Sequence, residues 1–335
     1  MNISINENFI YPANVLKNKL KEVIKEIDLR MYPEPYAESL MEKLAVEMKL
    51  NANQFVVGNG SDTIIDILVR AEISQNNNAI IVSPTFSMYE KAVQLRNGGI
   101  KKILLSPPPD YDIDPNLILS QVENKQDSVL FLCSPNNPTG KQYCKEKIQK
   151  IIEEFEGIVA LDEAYVGFGQ HSFVEEINKY PNLIILRTFS KEYGLAGIRI
   201  GYCISTEQQA EKMRGILPPF NVNTIAIELA KKLLKERSIL EKTNNYIRKE
   251  RKRVYQRLSQ LDGIIPYPSE ANFIMFKTTR LDSTTLYTNL TSKGIIIRNL
   301  ENYPLCEDCL RVTIAHKEMN EHFLAELELI MENIE

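Results

Sequence analysis

Thr188-Phe189-Ser190-Lys191, with Arg199 eight residues further on in Ala196-Gly197-Ile198-Arg199-Ile200-Gly201, sets an amine, two hydroxyls and a guanidinium in one short stretch. A lysine at the end of a buried strand can form an imine with an aldehyde. Two hydroxyls and an arginine beside it can hold a phosphate. Pyridoxal phosphate needs both, because its electron-sink chemistry runs on an internal lysine and an anchored phosphate. Alone, Lys191 reads as a solvated surface side chain. Its place just past the apolar run Leu183-Ile184-Ile185-Leu186 turns the reading toward chemistry. A lysine there first holds the aldehyde. Once an amino donor displaces it, it can move a proton between the donor's α-carbon and the cofactor's C4′.

Two further apolar runs end in polar residues suited to the same cofactor. Val159-Ala160-Leu161 stops at Asp162-Glu163-Ala164-Tyr165, and an ionised Asp162 there keeps a pyridine nitrogen protonated. Helix cap and metal ligand are the alternatives for Asp162, but only Glu163 lies near it as a second ligand, so no metal is expected. Val129 to Ser134 breaks off at Pro135-Asn136-Asn137-Pro138-Thr139-Gly140, a dense cluster of turn residues. Gly58-Asn59-Gly60-Ser61-Asp62 follows Phe55-Val56-Val57 and reads as a tight turn into a helix. Free N–H groups there suit an anion; a plain cap by Ser61 or Asp62 is the other reading.

The elements that must position these residues follow from periodicity. Residues 15–27 carry Val15, Leu16, Leu20, Val23, Ile24 and Ile27 at helical spacing. From about 36 to 230, helix-like and strand-like segments alternate, which implies βα units and a mostly parallel sheet. Open sheets of that kind bind ligands at the carboxyl ends of their strands. Pro218-Pro219 marks a break near the end of that lobe, and Pro107-Pro108-Pro109 reads as a surface connection. A charged helical stretch from Thr224 to Gln260 leads into a second α+β lobe. That lobe holds the strand-like runs Asn272–Phe276 and Gly294–Arg298 and a closing helix from Met319. The domains expected are 30–230 for the large cofactor-binding lobe, and 1–29 with 231–335 for a smaller lobe with an N-terminal arm.

Bulk properties narrow the function. At 335 residues the chain suits one two-lobed enzyme. Forty Lys and Arg nearly balance 44 Asp and Glu, which removes the basic field that nucleic acid requires. No apolar stretch approaches a membrane span. Met1 to Asn6 lacks a basic-then-apolar signal pattern, and the five cysteines are an odd number, so a reducing cytoplasm is expected. Cys306-Glu307-Asp308-Cys309 is a lone Cys-x-x-Cys with no second pair to complete a zinc site, and His171, His316 and His322 lack partners at ligand spacing.

The chain resembles the fold-type I, class I/II aminotransferases, most of all their histidinol-phosphate branch. The matching segments run in family order: Met31-Tyr32-Pro33-Glu34-Pro35, Gly58 to Asp62, Ser83 to Tyr89, Cys133 to Gly140, Asp162 to Tyr165, Leu186 to Gly201 and Leu310-Arg311-Val312-Thr313. They cover essentially the whole chain and are specific in combination. The resemblance implies an α/β, aspartate aminotransferase-like fold: a large lobe with a mostly parallel sheet and a smaller α+β lobe. It implies pyridoxal 5′-phosphate, with Lys191 as the imine lysine, Asp162 on the pyridine nitrogen, and Asn137 and Tyr165 on the phenolic oxygen. Phe86 would stack on the ring. Ser61, Asp62, Thr188, Ser190 and Arg199 would surround the phosphate, with Tyr32 reaching it from the partner of a homodimer. Arg311 would bind the donor's carboxylate. Arg298 matches a substrate-phosphate arginine, with a surface ion pair as its equal alternative, and Tyr11 would line the same pocket.

The implied reaction is ping-pong transamination from glutamate, or another amino acid, to a small phosphorylated carbonyl compound. Departures from the family pattern bear on the acceptor. The chain begins almost directly at Asn6-Glu7-Asn8, continues Phe9-Ile10-Tyr11-Pro12 where Pro, Tyr and Gly are usual, and carries Ala315-His316 where glycine is common. They suggest a different or smaller acceptor: imidazole acetol phosphate is what the resemblance implies by default, and a shorter phosphate such as dihydroxyacetone phosphate, giving serinol phosphate, is the alternative for a trimmed pocket. A pyridoxal-phosphate amino-acid phosphate decarboxylase is the alternative enzyme, and a non-catalytic cofactor-binding regulator the alternative of another class.

Overall fold

The computed structural model describes residues 1–123 and 126–333; the last two residues of the expected small-lobe span lie outside them. After an extended arm, α1 (Ala13–Glu26) and α2 (Glu38–Met48) lead into β1 (Phe55–Gly58), α3 (Ser61–Glu72), β2 (Asn78–Ser83), α4 (Met88–Leu95) and β3 (Gly99–Leu104). Then come α5 (Pro115–Ser120), β4 (Asp127–Cys133), α6 (Lys145–Glu154), β5 (Ile158–Asp162), β6 (Leu183–Thr188), β7 (Gly201–Ile204), α7 (Glu207–Arg214) and α8 (Thr224–Leu233). The chain closes with α9 (Arg237–Leu258), β8 (Ile264–Pro266), β9 (Phe273–Thr278), α10 (Ser283–Ser292), β10 (Arg298–Asn299), β11 (Cys309–Thr313) and α11 (Lys317–Glu332).

The first seven strands form one sheet in the order β1-β7-β6-β5-β4-β2-β3. Among the described residues only β7 runs against the others. Strand periodicity divides the apolar runs between two cores. Val159 and Leu161 of β5 join one, while Ala160 between them joins the other. Both faces are covered by helices, which is why these runs read as nearly continuous apolar sequence. The parallel register brings the carboxyl ends of β4, β5 and β6 to one edge, with Cys133 opposite Asp162 and Asp162 opposite Leu186.

The second sheet is antiparallel, in the order β10-β11-β9-β8, and has its own core with α9 and α11. The N-terminal arm lies along it. Ile3 donates to the Ile296 carbonyl at 2.9 Å and accepts from the Thr313 N–H at 2.9 Å.

Several elements differ from expectation. α1 was grouped with the small lobe, but it packs on α8 of the large one, because Val15, Leu16 and Val23 complete the core that α8 faces. The stretch from Thr224 to Gln260 is two helices, capped at its start by the Asn223 side chain on the Ala226 N–H at 2.9 Å. In the run Gly294–Arg298 only Arg298 enters a strand; Ile296 pairs with the arm at Asn2 instead. Among the described residues no helix is long and apolar enough to cross a membrane.

Candidate active site

A cavity of about 510 Å³ opens where the strand ends of the large sheet face the arm and the small sheet. Twelve of the expected site residues line it: Ser61, Asp62, Phe86, Asn137, Asp162, Tyr165, Thr188, Ser190, Lys191, Arg199, Arg298 and Arg311. Two do not. Tyr32 stands at the surface, 83 % exposed, with its ring 5.0 Å from that of Phe220. Tyr11 corrects the expectation that it lines the pocket. It is buried in the core behind the Gly194 turn, its hydroxyl without a partner among the described residues and pushed up to about 12 by burial.

One end of the cavity is built for an anion. α3 begins at Ser61 after Gly60, whose φ of 84° favours glycine, and no side chain caps the helix. Its first N–H groups are therefore free, and the helix dipole adds to their pull. Gly201 is required by close approach, since a Cβ there would lie 2.4 Å from the Ser61 nitrogen, whereas Gly60 is required by its φ, its nearest neighbour being the movable end of Arg199. Arg199 reaches this end in the left-handed region, φ 57°, and pairs with Asp62 at 3.0 Å. The Thr188 hydroxyl accepts from the Ser190 N–H at 3.1 Å, which folds the turn that follows β6 over the same point.

Asp162 sits at the end of β5, fully buried, and burial lifts its carboxyl to about 6. Tyr89 donates to it at 2.6 Å and the Ala164 N–H at 2.8 Å, both favouring the ionised form. No Lys, Arg or His pairs with it among the described residues, so a cationic partner is wanted in the cavity. Tyr89 was unassigned by sequence; only its place in the Ser83–Tyr89 segment hinted at a role.

Lys191 donates to the carbonyls of Ile5 at 3.0 Å and Asn6 at 3.2 Å. Burial, and next the Arg311 charge, lower its amine to about 8, so a usable share is free base near neutral pH. Tyr165 faces it, with the amine 5.7 Å from the ring centroid, and Tyr165 also accepts from the Asn6 side chain at 2.9 Å.

The far wall carries two guanidiniums. Arg311 is buried; it donates to Asn137 Oδ1 and, at 2.9 Å, to the Ser4 carbonyl, while its Nε has no partner. Phe273 lies 5.0 Å beneath it. Arg298 is directly opposite Arg311 across the β10–β11 ladder, so both side chains share a face. Like charges in that position repel, and the surface ion pair that was the alternative for Arg298 is not made among the described residues. Glu7 and Tyr303 also line the cavity and were not singled out by sequence. Cys306 and Cys309 are buried free thiols away from it, and His316 and His322 are exposed.

These groups fit pyridoxal phosphate: a free helix N-terminus with Arg199 for the phosphate, an uncompensated Asp162 for a protonated ring nitrogen, a depressed lysine amine for the aldehyde, and Phe86 on the wall for the ring. The comparisons agree. The family model "Aminotransferase class I and II" matches residues 1–327. The chain is 36 % identical over 316 residues to the histidinol-phosphate aminotransferase of Thermoanaerobacter pseudethanolicus, covering 94 % of this chain and 88 % of that one. The crystal structure of the histidinol-phosphate aminotransferase from Clostridium acetobutylicum superposes with a TM-score of 0.91 at 27 % identity, over 99 % of both chains. The enzyme of that name from Sinorhizobium meliloti, solved with pyridoxal-5′-phosphate, superposes with a TM-score of 0.91 at 24 % identity, over 100 % of this chain and 91 % of that one.

Proposed function

Because the chain belongs to the class I and II aminotransferases and is a pyridoxal-phosphate-dependent aminotransferase, we propose that it moves an amino group from glutamate to a small phosphorylated carbonyl compound, with imidazole acetol phosphate as the first candidate. The observation that carries the substrate class is the pair Arg298 and Arg311, set opposite each other in one cavity without carboxylate partners among the described residues. That pair calls for an anion at each of two points along the substrate. The two carboxylates of glutamate would occupy both points, and the phosphate of a phosphorylated acceptor one of them.

Bound pyridoxal phosphate supplies the aldehyde for Lys191 and the ring that takes up the electron pair of the donor's α-carbon. The protein's residues do the rest. Asp162, held ionised by Tyr89 and the Ala164 N–H, keeps the ring nitrogen protonated. Asn137 and Tyr165 would hold the ring oxygen, and Ser61, Asp62, Thr188, Ser190 and Arg199 would hold the phosphate. Arg311 brings its free Nε to the substrate carboxylate. Lys191, lowered to about 8, takes and returns the proton once its amine is free. Tyr32 serves the partner's site in a homodimer, which is supported by its exposure at 83 % beside Leu29 at 67 % and Met31 at 68 %. Five free cysteines support a cytoplasmic setting.

The test is a two-stage spectral titration of the purified enzyme: glutamate first, then single acceptors, following the aldehyde and amine forms of the cofactor. Loss of the aldehyde band with glutamate, restored by imidazole acetol phosphate or dihydroxyacetone phosphate, supports the reading and names the acceptor. No response to any amino donor, with carbon dioxide released from a phosphorylated amino acid, replaces it with the decarboxylase.

A further inference from the structure

We propose that Asn6 is a positioning residue whose side-chain amide fixes the direction in which Tyr165 donates its proton. All four polar atoms of Asn6 are engaged. Its N–H donates to Thr313 Oγ1 at 3.0 Å, and the Thr313 hydroxyl donates in turn to Asn6 Oδ1 at 3.4 Å. Its carbonyl accepts from Asn272 at 3.1 Å and from Lys191 at 3.2 Å. Because Thr313 already accepts the backbone N–H, its own proton is free to mark the amide oxygen. The amide nitrogen is thereby turned to Tyr165, 2.9 Å away.

An amide N–H can only donate, so the Tyr165 oxygen accepts from Asn6 and its single proton must find another acceptor. None is found for it among the described residues, and Tyr165 lines the cavity. The proton is therefore directed into the cavity, where it would meet the ring oxygen of a bound cofactor. Donation there stabilises negative charge on that oxygen. With the cofactor bound at Lys191, that donation by Tyr165 would lower the pH at which the lysine nitrogen gives up its proton. Asn6 is 1 % exposed at φ 59°, a left-handed conformation that Asn and Asp tolerate. That makes Asn6→Asp the informative change. It keeps the backbone but offers only acceptor oxygens, so Tyr165 turns its proton away from the cavity.

The inference rests on the roles given to Lys191 and Tyr165, and the experiment separates the two. The absorbance of the lysine-bound cofactor is titrated against pH in wild type, Tyr165→Phe, Asn6→Asp, Thr313→Val and Asn6→Asp with Tyr165→Phe, alongside cofactor occupancy and thermal stability. Tyr165→Phe and Asn6→Asp should each raise the midpoint by about one pH unit, Thr313→Val by less, and the double variant no further than Tyr165→Phe alone. If Tyr165→Phe shifts the midpoint while Asn6→Asp and Thr313→Val only lower the melting temperature, Asn6 is structural and the proposal falls. If Tyr165→Phe leaves the midpoint unmoved, the role of Tyr165 itself is wrong. Should Asn6→Asp not fold, Thr313→Val decides alone, an unmoved midpoint counting against the proposal.

Discussion

On the floor of the cavity the functional side chains leave the strand ends of one sheet: Asn137 after β4, Asp162 on β5, and Thr188, Ser190 and Lys191 at the end of β6. On the opposite wall they arrive from far apart in the chain. Asn6 and Thr313, 307 residues distant in sequence, hydrogen-bond to each other, and Arg298 and Arg311 meet across the edge of a second sheet. The floor is held by a parallel ladder with a core on either face. The wall depends on an arm only a few residues wide, lying on one lobe and touching the lysine of the other. The division suits the proposed function: the groups for the chemistry leave a packed sheet, and the groups proposed to recognise substrate come from the arm and the second sheet.

The largest expected effect strikes the floor. Lys191→Ala should abolish the absorption band of the lysine-bound cofactor and lower turnover by at least about a thousandfold, the scale of a lost nucleophile and proton carrier. Retained steady-state transamination would break the assignment of the floor altogether.

Next come the two wall arginines, which sharpen the contrast by differing from each other. Arg311→Ala should cost roughly 100-fold in kcat/KM for glutamate, with a smaller loss for the acceptor, because its buried guanidinium is the proposed carboxylate site. Arg298→Ala should raise KM for the phosphorylated acceptor by roughly 10- to 100-fold with a smaller effect on glutamate. Equal losses on both substrates in both variants would mean that the wall has no division of labour.

The floor was readable because its signals are local. An apolar run followed at once by Asp162, or by Thr188, Ser190 and Lys191, carries in a few residues both the strand and the group it presents. The wall was half readable. Arg311 stands in such a run on β11, but the meaning of Arg298 lies in its register with Arg311, which no local pattern encodes. Asn6 went unassigned because its work is done through Thr313, Asn272 and Tyr165, all remote in sequence. Tyr11 was misplaced because one residue's proximity to the arm says nothing about which way its ring turns.

A pH measurement distinguishes the floor with and without its cofactor. Burial raises the Asp162 carboxyl from an ordinary value near 3.8 to about 6 in the folded chain. A group raised on folding contributes stability below its unfolded value and loses it as pH rises through the folded one. The cofactor-free protein should therefore lose about 2 kcal/mol between pH 4 and pH 7 from this residue. Asp162→Asn should flatten that part of the profile, and so should pyridoxal phosphate, whose protonated nitrogen compensates the charge. The measurement is the melting temperature of the three forms across that range. A slope unchanged in Asp162→Asn would show that the carboxylate is compensated without the cofactor.

The smallest expected effect tests where the arm stops contributing to the wall. Tyr11 follows Asn8 by three residues, and Asn8 is tied to the backbone of Lys191 and Glu192 at 2.8 and 2.9 Å. Its ring nevertheless goes into the core of the large lobe, with a buried hydroxyl that has no partner. Removing such a group does not break a bond and relieves a desolvated dipole. Tyr11→Phe should leave kcat and KM for both substrates unchanged and stabilise the fold by up to about 1 kcal/mol, read by denaturant unfolding. A KM for the phosphorylated acceptor raised severalfold would mean instead that the hydroxyl turns into the cavity when substrate is bound. The wall would then extend past Asn8, and the arm would rearrange between its free and bound forms.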